Sequence, residues 1–200
     1  MKPTFLIAAA ALTLACTPPP RKAPQGPAAQ EAFWKNLSAL CGRAFEGQIA
    51  ARVGGGAGPD PFDGKRLVMH VRECSENEIR VPFHVSEDRS RTWVFTRSAA
   101  GLRLKHDHRH EDGSEDKVTM YGGDTAEAGS PERQAFPADA HSREMFTREG
   151  IPQSTTNVWV AGLTPGKTFS YALTRPGREF RVDFDLAKEV PAPPPPWGSK

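Results

Sequence analysis

The sequence has few of the features on which most enzyme classes depend. It contains three cysteines and no CxxC motif, which argues against redox catalysis. It has no Gly-x-Ser-x-Gly, no His-Glu-x-x-His and no pair of carboxylates at a useful spacing, so no familiar hydrolase site is indicated. Three of the 26 basic residues precede residue 31, and the remaining 23 face 24 acidic ones. Since this leaves no basic patch, we expect no nucleic-acid binding.

A phosphate-binding loop is suggested only loosely, by the segment AGLTPGKT at residues 161–168. Such a loop needs a helix that begins at its Lys-Thr, because the amides at the start of the helix hold the phosphate. Here the residues after Lys167 alternate between apolar and polar, which predicts a strand. We therefore expect no nucleotide as a partner.

Long apolar runs are confined to the N-terminus. Residues 5–15 are apolar except for Thr13, but this run is too short for a membrane-spanning helix, which needs about 20 residues. It predicts a signal peptide at residues 1–15. The run ends in LTLAC, which resembles the lipobox of bacterial lipoproteins and implies that Cys16 carries lipid. Thr17, in place of aspartate, implies an outer-membrane location facing the periplasm; an ordinary cleaved signal is the alternative.

Proline-rich segments flank one central domain. Residues 16–30 are rich in Pro, Ala and Gln and predict a lipidated, semi-rigid tether. Residues 31–188 have the length of one domain. Residues 189–200 form a second Pro-rich segment, which predicts a solvated tail, with a polyproline ligand for an aromatic groove as the alternative. The membrane is thus an expected partner, through the N-terminal lipid.

Two cysteines, Cys41 and Cys74, are left if Cys16 is lipidated. Two thiols of one domain usually pair in an oxidising periplasm. We predict a disulfide that joins the end of the N-terminal helix to the end of a strand.

The spacing of apolar residues predicts a mainly β domain. Residues 31–41 predict a short amphipathic N-terminal helix, and residues 137–150 predict a second short helix inserted among the strands. One-sided alternation, which is typical of antiparallel sheets, occurs at residues 45–53, 66–74, 78–85, 91–97, 101–110, 117–121, 155–162, 169–175 and 178–186. About nine or ten such strands avoid open edges by closing on themselves. We predict an antiparallel up-and-down β-barrel, with a sandwich as the other closure.

The pattern over residues 31–188, a small helix followed by an up-and-down series of strands, resembles the calycins, the class of the lipocalins and fatty-acid-binding proteins. The early Gly-x-Trp of the lipocalins is absent, and GRAFEG occupies the comparable place. The stretches HDHRHEDG and YGG resemble an uncharacterised family of secreted proteins and lipoproteins of Gram-negative bacteria. The calycin resemblance implies a barrel that binds a small, largely apolar ligand.

Three of the six histidines stand at alternate positions near the middle of the chain. Alternate residues of a strand share one face, so His106, His108 and His110 continue the apolar row formed by Leu102 and Leu104. This row should face inward, with His106 deepest and His110 nearest the rim.

The opposite row of the same strand is charged and should lie in water; it comprises Arg103, Lys105, Asp107 and Arg109. We therefore expect His108→Asp to destabilise the fold more than Arg109→Asp, because it places a carboxylate where water is scarce.

The inward histidines predict a ligand-binding site, a metal site, or neither. The predicted ligand-binding residues are Leu104, His106, His108, His110 and Tyr121. Because two histidines at positions i and i+2 can share one zinc, the three histidines are also candidate ligands of a divalent metal or of haem iron. The alternative is that neighbouring side chains satisfy the histidines and no metal binds.

A rival metal site follows from a different resemblance. His108, His110, Glu115 and Gly122 resemble the first metal-binding motif of the cupins, although Gly101 departs by one residue from the spacing and no second motif follows. This resemblance implies a metal-dependent enzyme. The other histidines lie outside both sites: His70 and His84 fall on polar strand faces, and His141 is ambiguous.

Three functions therefore stay open. The first is a lipid-anchored envelope protein whose barrel binds a small apolar ligand without catalysis. The second is a cupin-type metal enzyme. The third is a structural envelope lipoprotein with a filled barrel. The barrel interior distinguishes them: an open cavity, a three-ligand metal geometry or solid packing.

Overall fold

The computed structural model describes residues 27–55 and 60–199, so the predicted signal peptide and the lipidation of Cys16 lie outside the described residues. In this part of the chain the elements are α1 (Ala28–Ser38), β1 (Ala44–Val53), β2 (Leu67–His70), β3 (Glu73–Cys74), β4 (Glu78–Val85), β5 (Asp88–Ser98), β6 (Gly101–His108), β7 (Tyr121–Asp124), β8 (Arg133–Pro137), α2 (Ala140–Arg148), a 3₁₀ turn (Pro152–Thr156), β9 (Val158–Thr164), β10 (Thr168–Arg175) and β11 (Arg178–Val190).

The strands form one antiparallel sheet that nearly closes into a barrel. Its order is β7-β6-β5-β4-β2-β1-β11-β10-β9-β8, with the two-residue β3 beside β4. The first strand of the chain, β1, pairs with the last, β11. Most other neighbours in the sheet are consecutive in the chain. The predicted up-and-down barrel with two short helices is confirmed. The strand predicted after Lys167 is also confirmed, since β10 begins at Thr168.

β7 and β8 stand at the two ends of the strand order, so the sheet is not fully closed between them. Glycine allows these two edge strands to lie close together. A side chain at Gly123 would place its Cβ 1.9 Å from the carbonyl oxygen of Pro137. The amide of Asp139 donates to the carbonyl of Gly122 at 2.9 Å, and Ser142 Oγ, on α2, accepts from the amide of Gly122 at 2.8 Å. The start of α2 therefore bridges the two strands.

The same glycines explain why β7 begins later in the chain than alternation predicts. Alternation predicts a strand at residues 117–121, but β7 begins at Tyr121 and includes both glycines of YGG. Gly122 has a φ of +145°, and a Cβ there would lie 1.9 Å from the carbonyl oxygen of Leu104. Close backbone approach thus requires glycine inside this strand, whereas glycine in a sequence ordinarily indicates a turn.

One end of the barrel is filled by α1, which begins three residues before its predicted start. Phe33 and Leu37 are fully buried in the core. Gln30 donates to Thr125 Oγ1 at 2.8 Å, next to the end of β7. Arg97, near the end of β5, lies over the ring of Trp34, 5.3 Å from its centroid. Side chains of α1 therefore occupy the barrel end to which β5 and β7 run.

The predicted disulfide is confirmed at this filled end. Cys41, just beyond α1, is bonded to Cys74 in β3, and their Cα atoms are 6.3 Å apart. Both residues are exposed to solvent. The bond therefore links the segment that follows α1 to the strands at the filled end of the barrel.

The C-terminal segment lies against the outside of the barrel. After β11 ends at Val190 beside β1, the chain reaches β5, where the amide of Trp197 donates to the carbonyl of Arg89 at 3.1 Å. Arg89 Nη1 donates in return to the carbonyl of Pro195 at 3.2 Å. Since β2 and β4 stand between β1 and β5 in the sheet, residues 191–196 cross the outer side of these strands.

Two histidines are buried on a strand face that alternation predicts to be polar. His70 and His84 are 7% and 3% exposed. Their strand register still directs them outward, because His84 pairs with Val68 and not with the inward Leu67 or Met69. Alternation correctly separates the two faces of these strands, but it does not predict that the outer face is buried at these two positions.

Candidate functional site

The end of the barrel opposite α1 holds a cavity of about 350 Å³. Its floor is a pair of aromatic rings from opposite walls: Trp93 of β5 stacks on Tyr171 of β10, with centroids 4.3 Å apart and planes at 20°. Both rings are almost fully buried. Below them the interior is packed side chains, so the barrel is filled at one end and hollow at the other.

Aromatic side chains also form the walls of the cavity. On one side Phe62 stacks on Phe180 at 4.8 Å, and Phe83 stacks on the floor ring of Trp93 at 4.9 Å. The opposite wall contains the rings of Tyr121, Phe146 and Trp159. Such walls present flat, polarisable surfaces that favour contact with another ring.

His106 supplies the polar centre of the floor. Its Nδ1 lies 3.0 Å from the carbonyl oxygen of Tyr121, and its Nε2 lies 2.6 Å from Tyr171 Oη. A carbonyl oxygen only accepts, so Nδ1 carries the proton and Nε2 accepts from the tyrosine hydroxyl. Burial lowers the pKa of His106 from 6.5 to about 3, which keeps the ring neutral at pH 7.

His108 and Tyr121 form a second neutral pair closer to the mouth. Tyr121 Oη lies 3.1 Å from His108 Nε2, and the Tyr121 ring stacks on His106 with centroids 4.6 Å apart. Burial, then the positive charge of Arg91, lowers the pKa of His108 to about 4. Burial raises the pKa of Tyr121 to about 12. The polar groups of the floor are therefore uncharged over the neutral pH range.

The predicted site residues divide into three groups. His106, His108 and Tyr121 line the cavity, and His106 is the deepest histidine of its row, as expected. Leu104 is fully buried in the packed core below the cavity and does not line the cavity. His110 lies beyond the end of β6 in an exposed turn and does not line the cavity.

The charged side chains on the outer face of β6 are less exposed to solvent than alternation predicts. Asp107 is only 5% exposed, and it accepts from Arg80 at 2.7 Å and from Arg109 at 2.9 Å. Lys105 pairs with Asp139 at the start of α2, and its side chain is 13% exposed. Ion pairs with neighbouring elements cover this face. Because Arg109 compensates a buried carboxylate, the expected contrast between His108→Asp and Arg109→Asp does not follow.

The geometry does not assemble either of the metal sites inferred from the sequence. Residues 27–55 and 60–199 contain no group of three or more His, Cys, Asp or Glu side chains placed to hold a metal ion. Both ring nitrogens of His106 are engaged, His110 points into solvent, and Glu115 pairs with Arg109 at the surface at 3.0 Å. The histidines and Glu115 of the cupin-like motif therefore do not converge. His141 is exposed on α2, away from the cavity.

Most of the cavity residues were not singled out in the sequence. Trp93 occupies the position opposite His106 on the neighbouring strand, so the register of β5 against β6 would have identified it. A compositional signal also exists: the chain has only two tyrosines, and both bond to a histidine of the 106–110 stretch. The arginines at the mouth, Arg91 and Arg178, carry no comparable signal.

The neutral floor makes the fold sensitive to acid, and we expect stability to fall between about pH 7 and pH 5. The folded pKa of His106 lies below its unfolded value, so the unfolded state binds the proton first as the pH falls below 6.5. The loss from His106 alone is about 2 kcal/mol at pH 5. Denaturation at both pH values should show a flatter pH dependence for His106→Gln than for the original chain.

The matched control is His110→Gln, which changes an exposed histidine of the same segment. It should keep the pH dependence of the original chain. His108 and His84 contribute in the same direction as His106, so some acid sensitivity persists in His106→Gln. Identical pH dependence in the two variants would contradict a neutral, buried His106.

Comparisons of the chain with protein-family models, curated proteins and solved structures found no match. The calycin-like pattern and the resemblance to secreted lipoproteins therefore stay predictions, and the function has to be inferred from the cavity itself. No helix in the described part of the chain has the length and apolar character needed to cross a membrane.

Proposed function

We propose that this protein is a lipid-anchored cell-envelope protein whose barrel binds a small, largely apolar ligand and performs no chemistry on it. The observation that supports binding is the aromatic cavity of about 350 Å³ at the end of the barrel opposite α1. Cavities of this size, with apolar walls and few polar groups, are typical of small-molecule sites.

The polar groups in the cavity support binding more than catalysis. A general base needs a free lone pair directed at the substrate and a pKa near the working pH. In His106 the Nε2 lone pair accepts from Tyr171, and the pKa is far below neutrality. Such a group can orient a ligand and hold the floor rigid, but it is poorly suited to proton transfer.

Binding can be tested with N-phenyl-1-naphthylamine, a neutral probe that becomes fluorescent in apolar surroundings. We expect saturable binding to the purified chain, and we expect Val118→Trp to weaken it at least about tenfold. Val118 lines the cavity near its mouth, so the added indole occupies part of the space that the probe needs.

Val53→Trp is the matched control, because Val53 is 56% exposed at the end of β1. It should bind the probe as the original chain does, and any lipid at the N-terminus is the same in all three proteins. Absence of saturable binding, or equal loss in both variants, would favour the structural envelope lipoprotein.

The lipid anchor forms a separate part of the proposal, supported by the lipobox-like LTLAC that ends at Cys16. Cells grown with radiolabelled palmitate should incorporate label into the original chain and almost none into Cys16→Ser. Equal labelling of the two proteins, or no labelling of either, would contradict lipidation at Cys16 and would leave the binding proposal unaffected.

A further inference from the structure

We propose that the ligand is a small aromatic anion, whose ring enters the cavity and whose anionic group stays at the mouth beside Arg178, Arg175 and Arg91. This inference rests on the proposed binding function and names the chemical class of the ligand. It follows from an arrangement of arginines that the protein itself does not neutralise.

The hairpin between β10 and β11 places two arginines beside the cavity mouth. Arg175 and Arg178 face each other in the register, on either side of the Pro176-Gly177 turn. Within residues 27–55 and 60–199, neither arginine forms an ion pair with a carboxylate. Two like charges on paired positions repel each other, and an anion bound beside both would reduce that repulsion.

The contacts of Arg175 direct this charge toward the cavity. Its Nη1 donates to Ser154 Oγ at 3.3 Å and to Asn157 Oδ1 at 3.2 Å. Both acceptors are neutral, and both line the cavity together with Arg178. Burial, and then the neighbouring charge of Arg178, lower the pKa of Arg175, in keeping with a guanidinium that lacks a counterion.

Arg91 adds a third cation on the other side of the mouth. Its guanidinium lies over the ring of Phe62, 5.5 Å from the centroid, and it is paired with Asp88. Asp116 is the carboxylate that lines the cavity among the described residues, and it accepts from the amide of Val118 at 2.8 Å. With Asp88 offsetting Arg91, the hairpin arginines still outnumber Asp116, so the mouth favours an anion.

The interior determines which part of the ligand lies inside. The floor offers only neutral groups that already bond to one another, His106 with Tyr171 and His108 with Tyr121. An ionic group on this floor would lose its water without gaining a counterion. The aromatic walls around the floor instead favour contact with a ring of the ligand. The ligand therefore enters ring first.

A matched pair of probes separates this inference from the binding function. N-phenyl-1-naphthylamine and 8-anilino-1-naphthalenesulfonate share one apolar skeleton, and only the second carries an anionic group. We expect the sulfonate to bind the original chain, and Arg178→Gln to weaken it about five- to tenfold while binding of the neutral probe changes less than about twofold. Arg148→Gln removes the same charge from the exposed outer side of α2 and should change neither.

Two further experiments test the role of Asp116 and the aromatic character of the ligand. Asp116→Asn removes the carboxylate of the cavity and should tighten binding of the sulfonate. Naphthalene-1-carboxylate should displace the sulfonate at a lower concentration than decanoate does, because only the former has a ring to stack. If decanoate is the better competitor, the ligand is not aromatic.

The two proposals fail in distinguishable ways. Binding of the neutral probe together with a sulfonate affinity that is insensitive to Arg178→Gln would overturn the anion preference and leave the apolar site intact. If neither probe binds saturably, the binding function itself is wrong. An equal loss in Arg178→Gln and Arg148→Gln would assign the effect to net charge and would also overturn the inference.

Discussion

Replacing Cys41 and Cys74 together with alanine should lower the free energy of unfolding by about 4 kcal/mol. The bond closes a loop across a sequence separation of 33 residues, and its loss restores conformational freedom to the unfolded chain. Both cysteines are exposed, so the substitutions leave no buried cavity that would add to the effect. Denaturant unfolding of the oxidised proteins measures the difference.

Reduction provides the control for this result. A thiol reductant should shift the midpoint of the original chain toward that of the double variant and leave the double variant unchanged. Equal midpoints for the oxidised original chain and the double variant would show that the bond does not stabilise the fold.

Trp93→Ala should destabilise the protein by about 3–5 kcal/mol, the range for removing a buried aromatic side chain. Trp93 is 2% exposed and contacts the rings of Phe83 and Tyr171, so its removal leaves a void beneath the cavity. The variant should also bind N-phenyl-1-naphthylamine more weakly, because the floor of the cavity loses one of its aromatic rings.

Trp34→Ala is the matched comparison at the filled end of the barrel. Trp34 is 5% exposed in α1, so its loss should cost a similar amount of stability. Binding of the probe should stay within about twofold of the original, since this ring does not line the cavity. Equal weakening of the probe by both variants would contradict a barrel with one filled and one hollow end.

The strand pattern was readable from the sequence because the direction of a side chain is local. Successive residues of a strand point to opposite faces, and this alone places His106 and Leu104 on one side of β6. The pattern does not give depth along the barrel axis. Leu104 and His106 differ by one repeat, yet the first lies in the packed core and the second in the cavity floor.

Short strands and close contacts were harder to predict. Alternation does not predict the five residues of β8 as a strand, because a segment this short gives too few repeats to establish the pattern. The start of β7 was placed too early, because its two glycines have the composition of a turn. Their role depends on the backbone of Leu104 and on Pro137, which are far away in the sequence.

The fold class, the disulfide and the inward direction of His106 could all be predicted from the residues, because alternation and the pairing of thiols follow from local geometry and composition. The position of the cavity could not be predicted in this way, since it depends on which barrel end α1 fills. The burial of His70 and His84 on the outer face, and the pairing of Arg175 with Arg178 beside the cavity mouth, likewise became visible only in the folded chain. These features arise from contacts between distant segments, for which the periodicity of a single strand carries no information.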